Sequence, residues 1–529
     1  MKHASPAIDE ADFLGRVLAA YADGTADRDL PASADVARSL IPGGTARARD
    51  FSGLSPNIPA LDMSRCVGCM ACVSVCPDAA LMAVALPESA VEAAIALVSG
   101  SEAEATVAAE LHSHFAVTQK YAEVPKRRGI QPALFGLFVD ATRCKGCAEC
   151  VEVCTDLGHD AIAMLAKAED GGDPTPTLDR YAQAMELYRA LPPTPPEYRN
   201  EKALADLMLG EHAYGYIGGA GSCAGCGEGT AIRMLIAATR QAHGPASMGI
   251  VAATGCNTVF GSTYPYNPYL VPWTNSLFEN APADALGIRL RWDQAGHQDR
   301  RLWVIGGDGA MYDIGFQSLS RMAASGADIK VLVLDGQVYS NTGGQSSTAS
   351  FGGQVTKLSA FGAAIHGRPE RRKELGRILI GHGEVYVAQT TPAHTNHFYR
   401  TIMEANEYPG PAIVIAYTAC PPEHGIADDA ANHQAKLAVD SRAFPLFTYD
   451  PRRGATLAER LSLQGNPSQR ENWAKDPSGQ PIDFLTFARS EARFAPHFRG
   501  DGSATPEIHA TNDERLANWR TLQEMAGVI

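Results

Sequence analysis

The stretch WVIGGDGAMYDIGFQSL (residues 303–319) runs from a β-branched apolar segment, through Gly306-Gly307-Asp308-Gly309, into an amphipathic helical pattern. A strand that ends in glycines and opens a helix puts that turn at the carboxyl edge of a parallel sheet, where open α/β folds bind ligands. The helix N-terminus favours phosphate, and the glycines allow close backbone approach. Asp308 is a candidate ligand for a divalent ion bridging a diphosphate. The G-x-G-x-x-G spacing of a dinucleotide site is absent.

Outward from this turn, further apolar β-branched runs alternate with helix-like stretches: MGIVAAT (248–254), IKVLVLD (329–335), GEVYVAQ (383–389) and PAIVIAY (411–417). This pattern predicts a doubly wound parallel α/β sheet over residues 201–450, with helices on both faces. A chain of 529 residues exceeds one hydrophobic core. Residues 1–55 read as an N-terminal arm, 56–165 as a small α+β cysteine-rich domain with a helical insertion, 166–200 as a proline-rich linker, and 451–529 as an extended C-terminal arm. With 45% hydrophobic and 20% charged residues, the composition excludes a disordered or fibrous chain. The net charge of −14 argues against nucleic acid and anionic membrane as partners. No apolar run approaches the ~18 residues of a membrane span, and the amino terminus lacks a signal-peptide core. A soluble cytoplasmic protein is expected.

Eight of the twelve cysteines stand in two copies of one pattern. The first is Cys66-x2-Cys69-x2-Cys72-x3-Cys76-Pro77; the second is Cys144-x2-Cys147-x2-Cys150-x3-Cys154, followed by Thr155. This is the spacing of two-cluster bacterial ferredoxins, in which the fourth thiolate of each run reaches the other cluster. Cys66, Cys69, Cys72 and Cys154 are therefore expected to hold one 4Fe-4S cluster, and Cys144, Cys147, Cys150 and Cys76 another. Zinc knuckles, which need two ligand pairs, fit poorly, since each run offers four cysteines by itself.

Cys223 and Cys226 lie in a glycine-rich segment, GGAGSCAGCGEG (218–229), while Cys256 and Cys420 each follow a predicted strand end. Strand ends on one sheet edge converge, so these four are candidates for a third cluster; buried structural thiols and a redox C-x2-C pair are the alternatives. The GDG turn is followed, beyond Asp335, by a second strand-end turn, GQVYSNTGGQ (336–345). The pairing resembles the thiamine-diphosphate motif, in which Asp308, a side chain on the second turn and one carbonyl bind Mg2+.

CVGCMACVSVCP, CKGCAECVEVC, GSCAGCGE, ATGCNTVFGS, WTNSLFE, GGDGAMYDIG, YSNTGGQSS and PGPAIVIAYTAC, in this order, span residues 60–420. Together they resemble the C-terminal half of the pyruvate:ferredoxin (flavodoxin) oxidoreductases, within the 2-oxoacid:ferredoxin oxidoreductases. The resemblance implies three 4Fe-4S clusters, thiamine diphosphate and Mg2+. Cys223, Cys226, Cys256 and Cys420 would hold the cluster nearest the cofactor. Glu228, Cys256, Gly307, Asp308, Gly309 and Ala310 would contact it, as would the turn Gly336, Gln337, Val338, Tyr339, Ser340 and Asn341. Asp308 and the Val338 carbonyl would bind Mg2+, and Asn341 would face the substrate as the catalytic side chain.

The implied reaction is coenzyme A-dependent oxidative decarboxylation of pyruvate, with electrons passing to ferredoxin or flavodoxin. The alternatives are the same chemistry on 2-oxoglutarate or an arylpyruvate, and a non-catalytic electron-transfer subunit. Gly336 stands where the family supplies a side-chain metal ligand, which leaves that position to a water or to Asp335. The segments matching the family's N-terminal half, with its pyrimidine-activating glutamate and its substrate surfaces, are not found, so a partner subunit is expected to carry them. Lys126-Arg127-Arg128, with Arg143 and Lys145, form a candidate basic patch for an acidic electron carrier; a solvated turn is the plainer reading.

Overall fold

The two cysteine runs fold as the two halves of one small domain. The computed structural model of the chain describes residues 9–32, 40–99, 105–168, 171–209, 215–218 and 220–529. Strand β1 (Asn57–Leu61) pairs antiparallel with β5 (Ile162–Ala166), while β2 (Leu81–Leu86) pairs antiparallel with β4 (Leu134–Val139), which also carries the short β3 (Phe115–Ala116). Each run turns into a short helix, Ala71–Val75 in the first and Glu149–Asp156 in the second. The repeat extends to the backbone. Gly68 and Met70 in the first run, and Gly146 and Ala148 in the second, all adopt left-handed conformations, with φ between 67° and 72°. For Met70 and Ala148 that conformation is uncommon, and its recurrence at the same place marks a loop wound around a common object.

The segment read as a linker departs from that expectation. It contains the helix Thr175–Ala190, whose Ala184, Met185, Leu187 and Tyr188 pack with Met82, Val84, Leu86 and Phe138. Val91, Ala94 and Ile95 of the insertion helix Glu88–Ser99 join the same cluster. Residues 175–190 are helical because they complete the cover of the β2–β4 sheet. Composition alone does not reveal that, since prolines flank the helix at both ends, Pro174 and Pro176 at its start and Pro192 and Pro193 just after it.

The second domain is an eight-stranded sheet in the order β13-β12-β10-β11-β9-β8-β6-β7. Its parallel core comprises β6 (Met248–Ala253), β7 (Trp273–Ser276), β8 (Arg301–Gly307), β9 (Lys330–Asp335), β10 (Tyr386–Thr390) and β11 (Ala412–Tyr417). The edge strands β12 (Phe447–Tyr449) and β13 (Leu461–Ser462) run antiparallel. β6, β9, β10 and β11 are buried along their whole length, as unbroken β-branched runs require when helices cover both faces. The helix Gly227–His243 lies between the domains. Its Ile232 and Leu235 share one continuous core with Val73 of the cysteine domain and Met248 of the sheet.

The C-terminal segment is not an extended arm. Phe484, Phe487, Phe494, Ile508, Trp519 and Leu522 enter the same core as Val331, Ile413 and Tyr417. The helix Pro506–Met525 carries Trp519, fully buried with its indole N–H donated to the Glu471 carbonyl at 2.8 Å. Of the N-terminal arm, residues 1–8 and 33–39 lie outside the described residues. No described helix is long and apolar enough to cross a membrane.

Because this segment completes the core, Trp519→Ala is expected to lower the stability of the α/β domain by about 3–5 kcal/mol. Urea unfolding followed by circular dichroism checks this; an unchanged midpoint would mean that residues 506–525 are peripheral.

Candidate functional site

The fold brings the cysteines together in three sets of four. Cys66, Cys69, Cys72 and Cys154 line one small cavity, floored by Phe135 and Leu137. Cys154 reaches it from the second run because the helices Ala71–Val75 and Glu149–Asp156 pack against each other. Reciprocally, Cys76 from the first run lies close enough to Cys144, Cys147 and Cys150 to raise the pKa of each, so these four form a second set. The symmetry extends to the hydrogen bonds, since the Ala80 N–H donates to Cys76 Sγ and the Ala161 N–H to Cys154 Sγ, both at 3.3 Å. Burial pushes the Cys72 and Cys150 thiols well up, and Cys144 up to about 12. Crowded thiols of this kind ionise only when a metal takes them as thiolates. Backbone N–H groups aimed at the sulfurs suit an iron–sulfur cluster.

The third set forms at the carboxyl edge of the sheet. Cys223 and Cys226 lead into the helix Gly227–His243, Cys256 follows β6 and Cys420 follows β11. All four line one cavity of about 240 Å³, together with Glu228, Gly336, Ser340, Asn341 and Thr418. Burial pushes Cys420 up to about 11 against a Ser340 hydroxyl hydrogen bond that acts the other way.

Beside it lies a second cavity of about 210 Å³, lined by Glu228, Cys256, Asn257, Phe278, Gly307, Asp308, Gly309, Ala310, Ile314 and the turn Val338–Thr342. Glu228, Cys256, Ser340 and Asn341 line both cavities and make a common wall. Glu228 is half-buried, burial alone pushes its carboxyl up to about 7, and its buried Oε2 has no protein partner. Asn257 Oδ1, in the same cavity, is likewise buried without a partner. Two orphaned polar atoms suit a polar cofactor rather than an apolar ligand. Asp308 accepts a hydrogen bond from the Ser347 hydroxyl. Its carboxyl is pushed up first by burial and then by Asp335, the setting in which a divalent cation is most favourable. The Val338 carbonyl closes a tight turn with the Ser340 N–H at 2.9 Å, and the Ser340 hydroxyl approaches it only at 3.5 Å. Gly309 is needed for packing, because an added Cβ would meet the Tyr339 ring at 2.5 Å. That ring is held by its hydroxyl, donated to Asp313 at 2.6 Å.

Several expectations need correction. Gln337 does not face this cavity. Its amide donates to the Asp335 carbonyl at 2.9 Å and its Oε1 accepts from Arg493 at 3.0 Å. Its own carbonyl accepts from Ser350 and Gln354. Gly336 lines the thiol cavity instead, and its carbonyl meets His424 Nε2 at 2.8 Å. Asp335 is not available as a metal ligand. It is fully buried in an ion pair with Arg372 and takes the Tyr312 hydroxyl as well. Arg143 and Lys145 do not belong to a surface patch, since both are buried, paired with Asp140 at 3.1 Å and with Asp78 at 2.6 Å. The residues that sequence reasoning missed are those beneath the turn: Arg372, His424, Glu491 and Arg493. Glu491 binds Arg493 at 2.6 Å and accepts from the Tyr417 hydroxyl at 3.2 Å. No local motif signals them, because the partners that tie them to the turn and to β11 lie tens of residues away.

Two family models match the chain. One is the thiamine pyrophosphate enzyme C-terminal TPP binding domain, over residues 253–416, and the other is a 4Fe-4S binding domain, over residues 59–82. A probable pyruvate-flavodoxin oxidoreductase of Escherichia coli is 30% identical over 95% of this chain and 44% of its own length. The pyruvate-flavodoxin oxidoreductase of Rhodospirillum rubrum is 28% identical over 99% of this chain and 46% of its own. The chain thus spans less than half the length of these relatives.

A Cβ at Gly336 would meet nothing nearer than Ser340 Oγ at 3.6 Å and the Thr418 carbonyl at 3.8 Å, so a side chain fits there. If Asp308 and the Val338 carbonyl hold Mg2+, as the resemblance implies, Gly336→Asn is expected to add a ligand beside Ser340 on the common wall and to lower, about tenfold (~1.4 kcal/mol), the Mg2+ concentration that half-saturates thiamine diphosphate binding. Titration followed by tryptophan fluorescence measures this; unchanged or weaker binding would place the metal elsewhere.

Proposed function

We propose that this chain, a relative of the carboxy-terminal part of the pyruvate-flavodoxin oxidoreductases, is the thiamine-diphosphate- and cluster-bearing portion of a 2-oxoacid oxidoreductase. In this reading the enzyme converts pyruvate and coenzyme A to the acyl thioester and carbon dioxide and reduces ferredoxin or flavodoxin. The common wall of Glu228, Cys256, Ser340 and Asn341 carries it. An organic cofactor on one side and a redox cluster on the other would be separated only by this wall, a short path for one-electron exchange. The names of the relatives support pyruvate.

Bound thiamine diphosphate supplies a nucleophilic carbon for decarboxylation, and 4Fe-4S clusters accept electrons singly. The chain's own residues hold and orient these groups. Asp308 and the Val338 carbonyl would hold Mg2+, and Gly307, Gly309 and Ala310 would present backbone to the cofactor's diphosphate. Glu228 and Asn257 offer their unpartnered oxygens to the cofactor's polar edge, and Asn341 orients the substrate. Cys223, Cys226, Cys256 and Cys420 ligate the first cluster, Cys144, Cys147, Cys150 and Cys76 the second, and Cys66, Cys69, Cys72 and Cys154 the third.

Among the described residues, Glu228 and Asp308 are the carboxylates lining the cofactor cavity. In this proposal the group that polarises the aminopyrimidine comes, as the resemblance implies, from a partner of the pyrimidine-binding type. Isolated chain is then expected to hold its clusters, bind thiamine diphosphate weakly and fail to decarboxylate pyruvate until that partner is added. Turnover by the pure chain would overturn this part.

Three sets of four thiolates imply about twelve iron and twelve sulfide per chain after anaerobic reconstitution. Cys420→Ser is expected to remove one paramagnetic signal and leave the other two. About eight iron in the native chain would exclude the third cluster.

A further inference from the structure

Electrons that enter at the Cys223–Cys420 set must leave somewhere, and the three sets are ordered in space. Lys145, between Cys144 and Cys147, donates to the carbonyl and hydroxyl of Ser222 at 2.8 and 2.9 Å, next to Cys223. The Cys76–Cys150 set therefore abuts the first set. The Cys66–Cys154 cavity, by contrast, is lined only by residues 63–162, with no contribution from the α/β domain. Cys69 there is exposed. The other exposed cysteine, Cys223, belongs to the set against the cofactor cavity.

The surface around Cys69 has two features of a docking site. Val67 and Leu157 are 44% and 48% exposed. They lie beside cavity residues Cys66 and His159, so apolar area is presented where a carrier must approach. A cationic turn follows the ring that packs on this loop. Tyr121 stacks on Phe135 of the cavity at 5.2 Å, and a Cβ added at Gly68 would touch its ring at 3.1 Å. Tyr121 therefore rests on the Cys66–Cys69 loop and anchors the helix that follows, Val124–Arg127. Lys126, Arg127 and Arg128 project from that helix end, all exposed, and none forms an ion pair with a described residue. Lys120, nearby, is already taken by Asp206.

We propose that Val67, Cys69, Leu157 and the turn Lys126-Arg127-Arg128 form the docking face for a small acidic electron-carrier protein. The proposal rests on the cluster reading above and deepens it. The apolar pair seats the carrier over Cys69. The three cations, on a chain of net charge −14, attract an acidic partner locally where the whole molecule would repel it. One electron passes from the reduced cluster of Cys66, Cys69, Cys72 and Cys154 to the carrier's oxidised centre. The cluster is oxidised, the carrier is reduced, and no bond is made or broken.

The test uses full-length chain with reconstituted clusters, reduced by dithionite and desalted. It is mixed in a stopped-flow instrument with an acidic ferredoxin or flavodoxin, and separately with a small neutral quinone. The K126E/R127E/R128E variant, at native iron content, is expected to reduce the protein carrier about tenfold more slowly at low ionic strength. The difference should shrink at 0.5 M salt, and quinone reduction should stay at the native rate. Leu157→Asp is expected to slow the carrier at both salt concentrations and to leave the quinone unaffected. Native carrier rates in both variants, with quinone reduction intact, would overturn the docking face alone. Failure of the reduced native chain to pass electrons to the quinone would overturn the cluster reading, and the docking face with it.

Discussion

One ammonium group ties together three of the chain segments that carry the cysteines. Lys145 Nζ, fully buried between two cysteines of the second run, donates to Asp78, two residues past Cys76 of the first run, at 2.6 Å. The same nitrogen donates to Ser222, one residue before Cys223. Three chain segments that bear cysteines thus meet on a single charge. Burial pushes the Asp78 carboxyl up and Lys145 pulls it back. Removing either partner would strand a charge in the interior, typically at a cost of about 3–5 kcal/mol. Such a contact is poor as a source of net stability but strict about geometry, which is what electron transfer between neighbouring clusters demands.

The crossing of the fourth cysteines imposes a second constraint. Each of the two sets within the small domain draws one thiol from the opposite run, so neither can assemble before both halves of that domain are in place. The long insertion between the runs then needs its own cover, and the helix Thr175–Ala190 provides it. The cofactor edge is supported differently. Its second turn has no side chain at Gly336, and its shape is imposed from beneath. Arg372 neutralises Asp335, His424 meets the Gly336 carbonyl, and Arg493 holds Gln337. Residues 484–525 are therefore part of the platform on which the turn rests, although they contribute nothing to the cavity wall.

The parallel strands were legible because a strand buried on both faces is a continuous apolar run, whatever its neighbours. β7, which reads WTNS, and the edge strands β12 and β13 were not, since they are short or polar and are held by pairing to strands already present. Arg143 and Lys145 read as surface cations because charge is normally exposed; only the position of Asp140 and Asp78 makes their burial possible. Gln337 was misplaced for a related reason. Its φ of 54° turns the side chain inward, away from the five turn residues around it.

Local covalent spacing determined, by itself, the character of the chemistry. Cysteines with only two or three residues between them must share a loop, and a GDG turn after an apolar strand must present backbone at a sheet edge. These facts depend on bond lengths and strand period, which the sequence contains in full. Tertiary structure alone decided which cysteines face one another across the repeat, that Cys223, Cys226, Cys256 and Cys420 share a wall with the cofactor cavity, and which charges are buried. Those outcomes come from contacts between residues tens to hundreds of positions apart. Their free energies depend on desolvation and on the distance to a partner, quantities that exist only once the chain has folded.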